Sequence, residues 1–175
     1  MKFSVHCGLA AVPKGAGITK RQAVRGIIAD QGKLLMVTNV CRDYKFPGGG
    51  VHEQEDERLA LLREIKEETG YTDLEILGLA GEAEQINVDL HNQFGYFVMH
   101  SSYYLCRLNS REQVLPRLDA YEDQLDFKPV FITAAEALEI NQHLLLNADY
   151  QNHWLLRETK VLAILSKEKN LMNML

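Results

Sequence analysis

Two apolar runs, AVRGIIAD (23–30) and KLLMVTNV (33–40), flank Asp30-Gln31-Gly32. Short aliphatic runs broken by a glycine-containing turn predict a β-hairpin. Downstream, FPGGG (46–50) halts the pattern, since three adjacent glycines extend neither strand nor helix cheaply. From Glu57 to Thr69 the period becomes helical. At about 100° per residue, Leu61, Leu62, Ile65 and Thr69 gather on one side. Glu64, Glu67 and Glu68 gather opposite, with Asp56 as N-cap and Gly70 as stop.

The remaining pattern is mostly extended. MKFSVHCGLAAV predicts a first strand, set off by the loop PKGAGITK (13–20). DLEILGLAG and QINVDLH follow the helix, the second alternating Ile86, Val88 and Leu90 as a half-buried strand does. HNQF reads as a turn into the strand GYFVMHSSYYLCRL, where Tyr103 and Tyr104 face opposite ways and one belongs to the core. Residues 109–126 are charged and irregular, a surface loop; FKPVFI (127–132) is a short strand that Pro129 confines to an edge or bulge. TAAE (133–136) is a capping box opening a helix. A last helix starts near Asp149 with Trp154, Leu155, Val161, Leu162 and Leu165. Strands, one helix, more strands and two helices make an α/β sandwich with mixed strands, without the βα alternation of a doubly wound sheet.

At 175 residues the chain suits one domain, with a core over about 20–140 and a helical segment over about 149–168. The net charge of −5 argues against a nucleic-acid partner. It leaves room for a phosphorylated substrate, because bound cations reverse the local sign. Three scattered cysteines, Cys7, Cys41 and Cys106, point to a reducing, cytoplasmic setting. Cys41 reads as a packed thiol. No apolar stretch is long enough to span a membrane.

The three glutamates repel one another. A solvated face is the bland explanation. The sharper one is Mg²⁺, which takes carboxylate and phosphate oxygens. Spacing decides between them. Gly49, five residues, Glu55, seven residues and then REIKEETGY (63–71) reproduce a Gly-x5-Glu-x7-Arg-Glu-U-x-Glu-Glu-x-Gly-U pattern, with U apolar and Tyr71 aromatic at the last position. A chance match in one chain is on the order of one in ten million. The chain therefore resembles the Nudix hydrolases of MutT type, whose box this is. The hairpin, the FPGG turn and the FKPVFI strand before a capped helix extend the likeness over roughly residues 20–140.

The resemblance implies the Nudix fold, a mixed β-sheet sandwiched between α-helices. It also implies Mg²⁺-dependent hydrolysis of a nucleoside diphosphate linked to another group, with Mn²⁺ able to substitute. It makes Glu64, Glu67 and Glu68 metal-binding acids, with Glu64 or Glu67 as the catalytic base. Gly49 would offer its backbone carbonyl to a metal; Glu55 and Arg63 would brace the loop against the helix. Family members often add an acid from a later loop. Asp119, Glu122, Asp123 and Asp126 stand in that stretch, and Glu122 is carried forward.

Arg25 and His52 are candidate substrate contacts, and Arg21 lies close by. Trp154 fits core packing or a subunit contact better than base stacking, and the apolar last helix could support a homodimer. No proline stands between Pro47 and Pro116, so the mark of the ADP-ribose subclass is missing. The marks of the diadenosine-polyphosphate, NADH and coenzyme A subclasses are missing too. Nucleoside triphosphates and nucleotide sugars stay open. A non-catalytic nucleotide-binding module is the alternative, although such modules commonly lose box acids that are complete here. An isopentenyl diphosphate isomerase would need cysteine and glutamate contexts not found here.

Overall fold

A computed structural model describes residues 2–89, 95–147, 150, 152 and 154–168. Along the chain run β1 (Phe3–Gly8), β2 (Gly17–Asp30), β3 (Lys33–Thr38), β4 (Tyr44–Lys45), α1 (Glu57–Thr69), β5 (Leu74–Val88) and β6 (Gly95–Leu108). Then come α2 (Ala120–Gln124), β7 (Lys128–Ile132), α3 (Ala134–Leu145) and α4 (Leu155–Leu165). The strands form a mixed sheet in the order β1-β5-β6-β2-β3-β4, with β7 also on β3. β1 pairs β5 in parallel and β2 pairs β6 in parallel; the other pairings are antiparallel. The hairpin closes through Gln31-Gly32, both at positive φ (50° and 77°), the backbone of a tight two-residue turn.

Alternation along the strands sends side chains to two cores. Ile27, Ala29, Leu34, Met36 and Tyr103 join Ala134, Ala137, Val161 and Leu162 from α3 and α4. Val24, Ile28, Leu35 and Cys106 join Ala60, Leu61 and Ile65 from α1. The sheet thus carries α1 on one face and α3 and α4 on the other, an α/β architecture of mixed sheet and flanking helices.

Several expectations change. The stretch 109–126 is not wholly irregular, because Asp119 and Glu122 form a capping box that opens α2. Five residues with none buried give no helical period to read. The two strands expected over 73–81 and 85–91 are one, β5, with register shifts at Ile76/Gly78 and Leu79/Gly81 that scramble its early alternation. Val88 is exposed, and Leu90 with the HNQF turn lies outside the described residues, as does Asp149. Cys41 is exposed, not packed. Of the two tyrosines, Tyr103 is the core residue. The apolar face of α4, expected to be available for a subunit contact, is spent inside the chain: Leu155, Val161, Leu162 and Leu165 are buried.

Candidate active site

α1 starts where the Asp56 carboxylate accepts from Arg58 N (2.9 Å) and Leu59 N (3.2 Å). The turn before it is tied down by one side chain. Arg63 donates to both oxygens of Glu55 at 2.8 Å and to the Gly50 carbonyl at 3.1 Å. The Glu55 carboxyl is held down at about 2 by Arg63 first and then by the His52 backbone N–H. The same guanidinium reaches Glu64 (2.8 Å) and Glu67 (3.1 Å).

Glu68 turns inward. Its carboxylate accepts from Lys45 Nζ at 2.5 Å and from Gly48 N at 2.8 Å. Lys45 is itself buried, 4.3 Å from the ring centre of Phe127. Gly48 sits at φ 134°, and a side chain there would strike the Val24 carbonyl. Gly49 lies flat against Glu64: a Cβ would come within 2.2 Å of its carboxylate. The Gly49 carbonyl accepts from Val24 N at 2.9 Å, which leaves one lone pair.

Among the described residues, Glu64, Glu68 and Glu122 each present a carboxylate oxygen within 4.8 Å of the other two. Burial and the neighbouring Glu68 push Glu122 up to about 7 and raise Glu64 as well, the latter against the pull of Arg63. Three acids of like charge sharing a partly desolvated site are an electrostatic deficit. All the donors are hard oxygens, and a small divalent cation fits them. The grouping differs from the trio expected on α1. Glu64 and Glu68 are one turn apart and converge; Glu67, 39% exposed, stays with Arg63 at the rim of a cleft that it shares with His52 and Arg117.

Beside the acids opens a cavity of about 580 Å³. Its floor follows sheet register: Arg21, Met99 and Gln85 lie in one row, and Phe97 and Asn87 in the next. Tyr121, Phe127 and Trp154 also line it. Arg21, Gly50, Asp119 and Glu122 border both this cavity and the cleft with Glu67, so the two share a wall.

Arg25 is buried and donates to the Gly48 carbonyl and, at 3.4 Å, to that of Phe46. It braces the turn, which its position in the chain did not reveal. His52 is largely exposed, with Nδ1 3.6 Å from Glu55. Asp123 and Asp126 line neither space. Sequence reasoning missed Lys45, Arg157 and Glu158, which are buried ionic residues in apolar surroundings. Phe97 and Met99 carried a readable signal, since strand alternation places them on one face.

A mixed sheet with flanking helices thus sets a cluster of acids, able to take a divalent cation, against a glycine turn. A NUDIX domain model matches residues 19–152, and the chain belongs to the NUDIX family, hydrolases that act on phosphorus-containing anhydrides. Among solved structures, a NUDIX hydrolase from Nitrosomonas europaea is similar at 14% identity and TM-score 0.52, covering 87% of this chain and 90% of its own. A Streptococcus suis ADP-ribose pyrophosphatase aligns at 21% identity and TM-score 0.47, covering 67% and 76%. MutT, from a study of the Aliivibrio salmonicida and Vibrio cholerae enzymes, aligns at 16% and 0.46, covering 90% and 100%. No curated protein matches this chain in sequence.

Proposed function

We propose that this chain hydrolyses a phosphoanhydride bond in a nucleoside diphosphate joined to another group, with Mg²⁺ or Mn²⁺ held by Glu64, Glu68 and Glu122. The observation that carries the reading is the convergence of those three carboxylates beside a cavity of about 580 Å³, a size usual for small-molecule sites. When bound, the cation neutralises charge on the phosphate oxygens and acidifies water.

The chain's own residues do the rest. Glu67 faces the cleft outside the cluster, so it takes the proton from the attacking water, and Arg63 orients it at 3.1 Å. Glu64 is the other candidate base, but its closeness to Glu68 and Glu122 favours a ligand role. Arg21, on the shared wall, meets the phosphates. Phe97, Met99 and Trp154 receive the nucleoside, and their apolar surface excludes water. The three free thiols fit a cytoplasmic protein.

The test is a nucleotide panel with and without Mg²⁺, read by phosphate-containing products. Cleavage of at least one nucleoside diphosphate derivative, lost with chelator and with E68Q, supports the reading. Tight nucleotide binding without cleavage would make the chain a binding module instead.

A further inference from the structure

Glu158 of α4 lies beyond residue 152, where the family match ends, and is fully buried. One of its oxygens accepts from the backbone N–H of Phe46 at 3.1 Å. The other accepts from Tyr103 Oη (3.2 Å) and from Arg157 Nε (3.0 Å) and Nη2 (2.8 Å). Arg157 is steadied in turn by Gln85 at 3.2 Å. On the far side of the same strand and turn, Glu68 of α1 holds Lys45 Nζ and Gly48 N. Residues 45, 46 and 48 are thus gripped by two buried carboxylates from helices on opposite faces of the sheet. Among the described residues, no other hydrogen bond of Glu158 reaches the turn, and Phe46 stands two residues before the amide that orients Glu68.

We infer that Glu158 is a positioning residue for the metal site: by accepting from Phe46 N–H it fixes the glycine turn, and through Gly48 N it fixes the carboxylate of Glu68. The inference rests on the reading of Glu68 as a metal ligand. Removing an outer partner of a ligand typically weakens metal affinity roughly ten- to a hundredfold. The buried ion pair can be replaced as a unit, since exchanging both charges for uncharged groups is often tolerated.

The experiment compares R157M/E158Q with R157M/E158L. Both lack the charges, and only the first keeps an acceptor for Phe46 N–H. Mn²⁺ is titrated into the substrate-free proteins and followed by electron paramagnetic resonance, with thermal midpoints recorded alongside. The expected result is Mn²⁺ binding near the parent level in R157M/E158Q and weakened roughly ten- to a hundredfold in R157M/E158L, at similar midpoints. Equal binding in the two double variants, whether strong or weak, overturns the positioning role. E68Q serves as the reference: if it binds Mn²⁺ like the parent, the metal reading itself has failed. Amide exchange in the unaltered protein decides the matter should R157M/E158L not fold. Phe46 N–H is expected in the slowest-exchanging class, and exchange at the rate of an open amide overturns the proposal.

Discussion

Arg63 and Glu55 meet fork to fork, Nε on one carboxylate oxygen and Nη2 on the other, each at 2.8 Å, joining the turn to the middle of α1 across seven intervening residues. A guanidinium achieves this geometry, and an ammonium does not. R63K keeps the charge but loses the paired contact and the Gly50 link. We expect a fall in kcat/KM of roughly a hundredfold from misplaced acids, with the protein still folded. Steady-state kinetics and circular dichroism check this together.

Gly49 tests the same placement from the other side. In G49A the new methyl would sit 2.2 Å from the Glu64 carboxylate, which must swing away. Mn²⁺ affinity and turnover should both fall, turnover by roughly a hundredfold, while thermal stability changes little. An alanine variant with parental Mn²⁺ binding would contradict the close approach.

Glu67 and Glu68 should fail differently. E68Q removes a charged group from the convergent acids and should weaken Mn²⁺ binding. E67Q should leave Mn²⁺ binding near parental and lower kcat by roughly a hundred- to ten-thousandfold, the range for losing a general base. Isothermal titration with Mn²⁺ alone separates the two effects.

Asp43 predicts a pH effect on folding. It is buried beside Asn152, its Oδ1 has no hydrogen-bond partner among the described residues, and burial pushes its carboxyl from the ordinary 3.8 up to about 7. The folded chain therefore holds more protons than the unfolded one between about pH 4 and 7, so stability falls as pH rises through that window. The full shift corresponds to at most about 4 kcal/mol. D43N should raise the urea midpoint more at pH 8 than at pH 4.5. An equal gain at both would sink the assignment.

Much of this was legible along the chain. The hairpin, α1 with its Asp56 cap, and the Arg63–Glu55 brace follow from periodicity and the box, because local spacing fixes them. The inward turn of Glu68 was not, since Lys45 is a single lysine between two aromatics and nothing local marks it as a partner 23 residues away. The acid from the later loop could be narrowed to four candidates, with Glu122 carried forward but no local pattern to single it out. Choosing among them needs the α2 turn to be known, and a five-residue helix leaves no period. Glu158 and Arg157 carry no motif or spacing that singles them out; only tertiary packing shows them inside.

Glu122 rides on α2, an element with no buried side chain, closed by its own Asp119 cap. Segments so lightly anchored part from the body at small energetic cost. The third corner of the acid triangle therefore stands on a surface turn, tied to the body where the Glu122 carbonyl accepts from Phe127 N at 3.1 Å, while the other two share one packed helix. The cation site would thus draw its ligands from two parts of the chain of unequal packing density, and its affinity would report on how well the Asp119–Glu122 turn holds its shape.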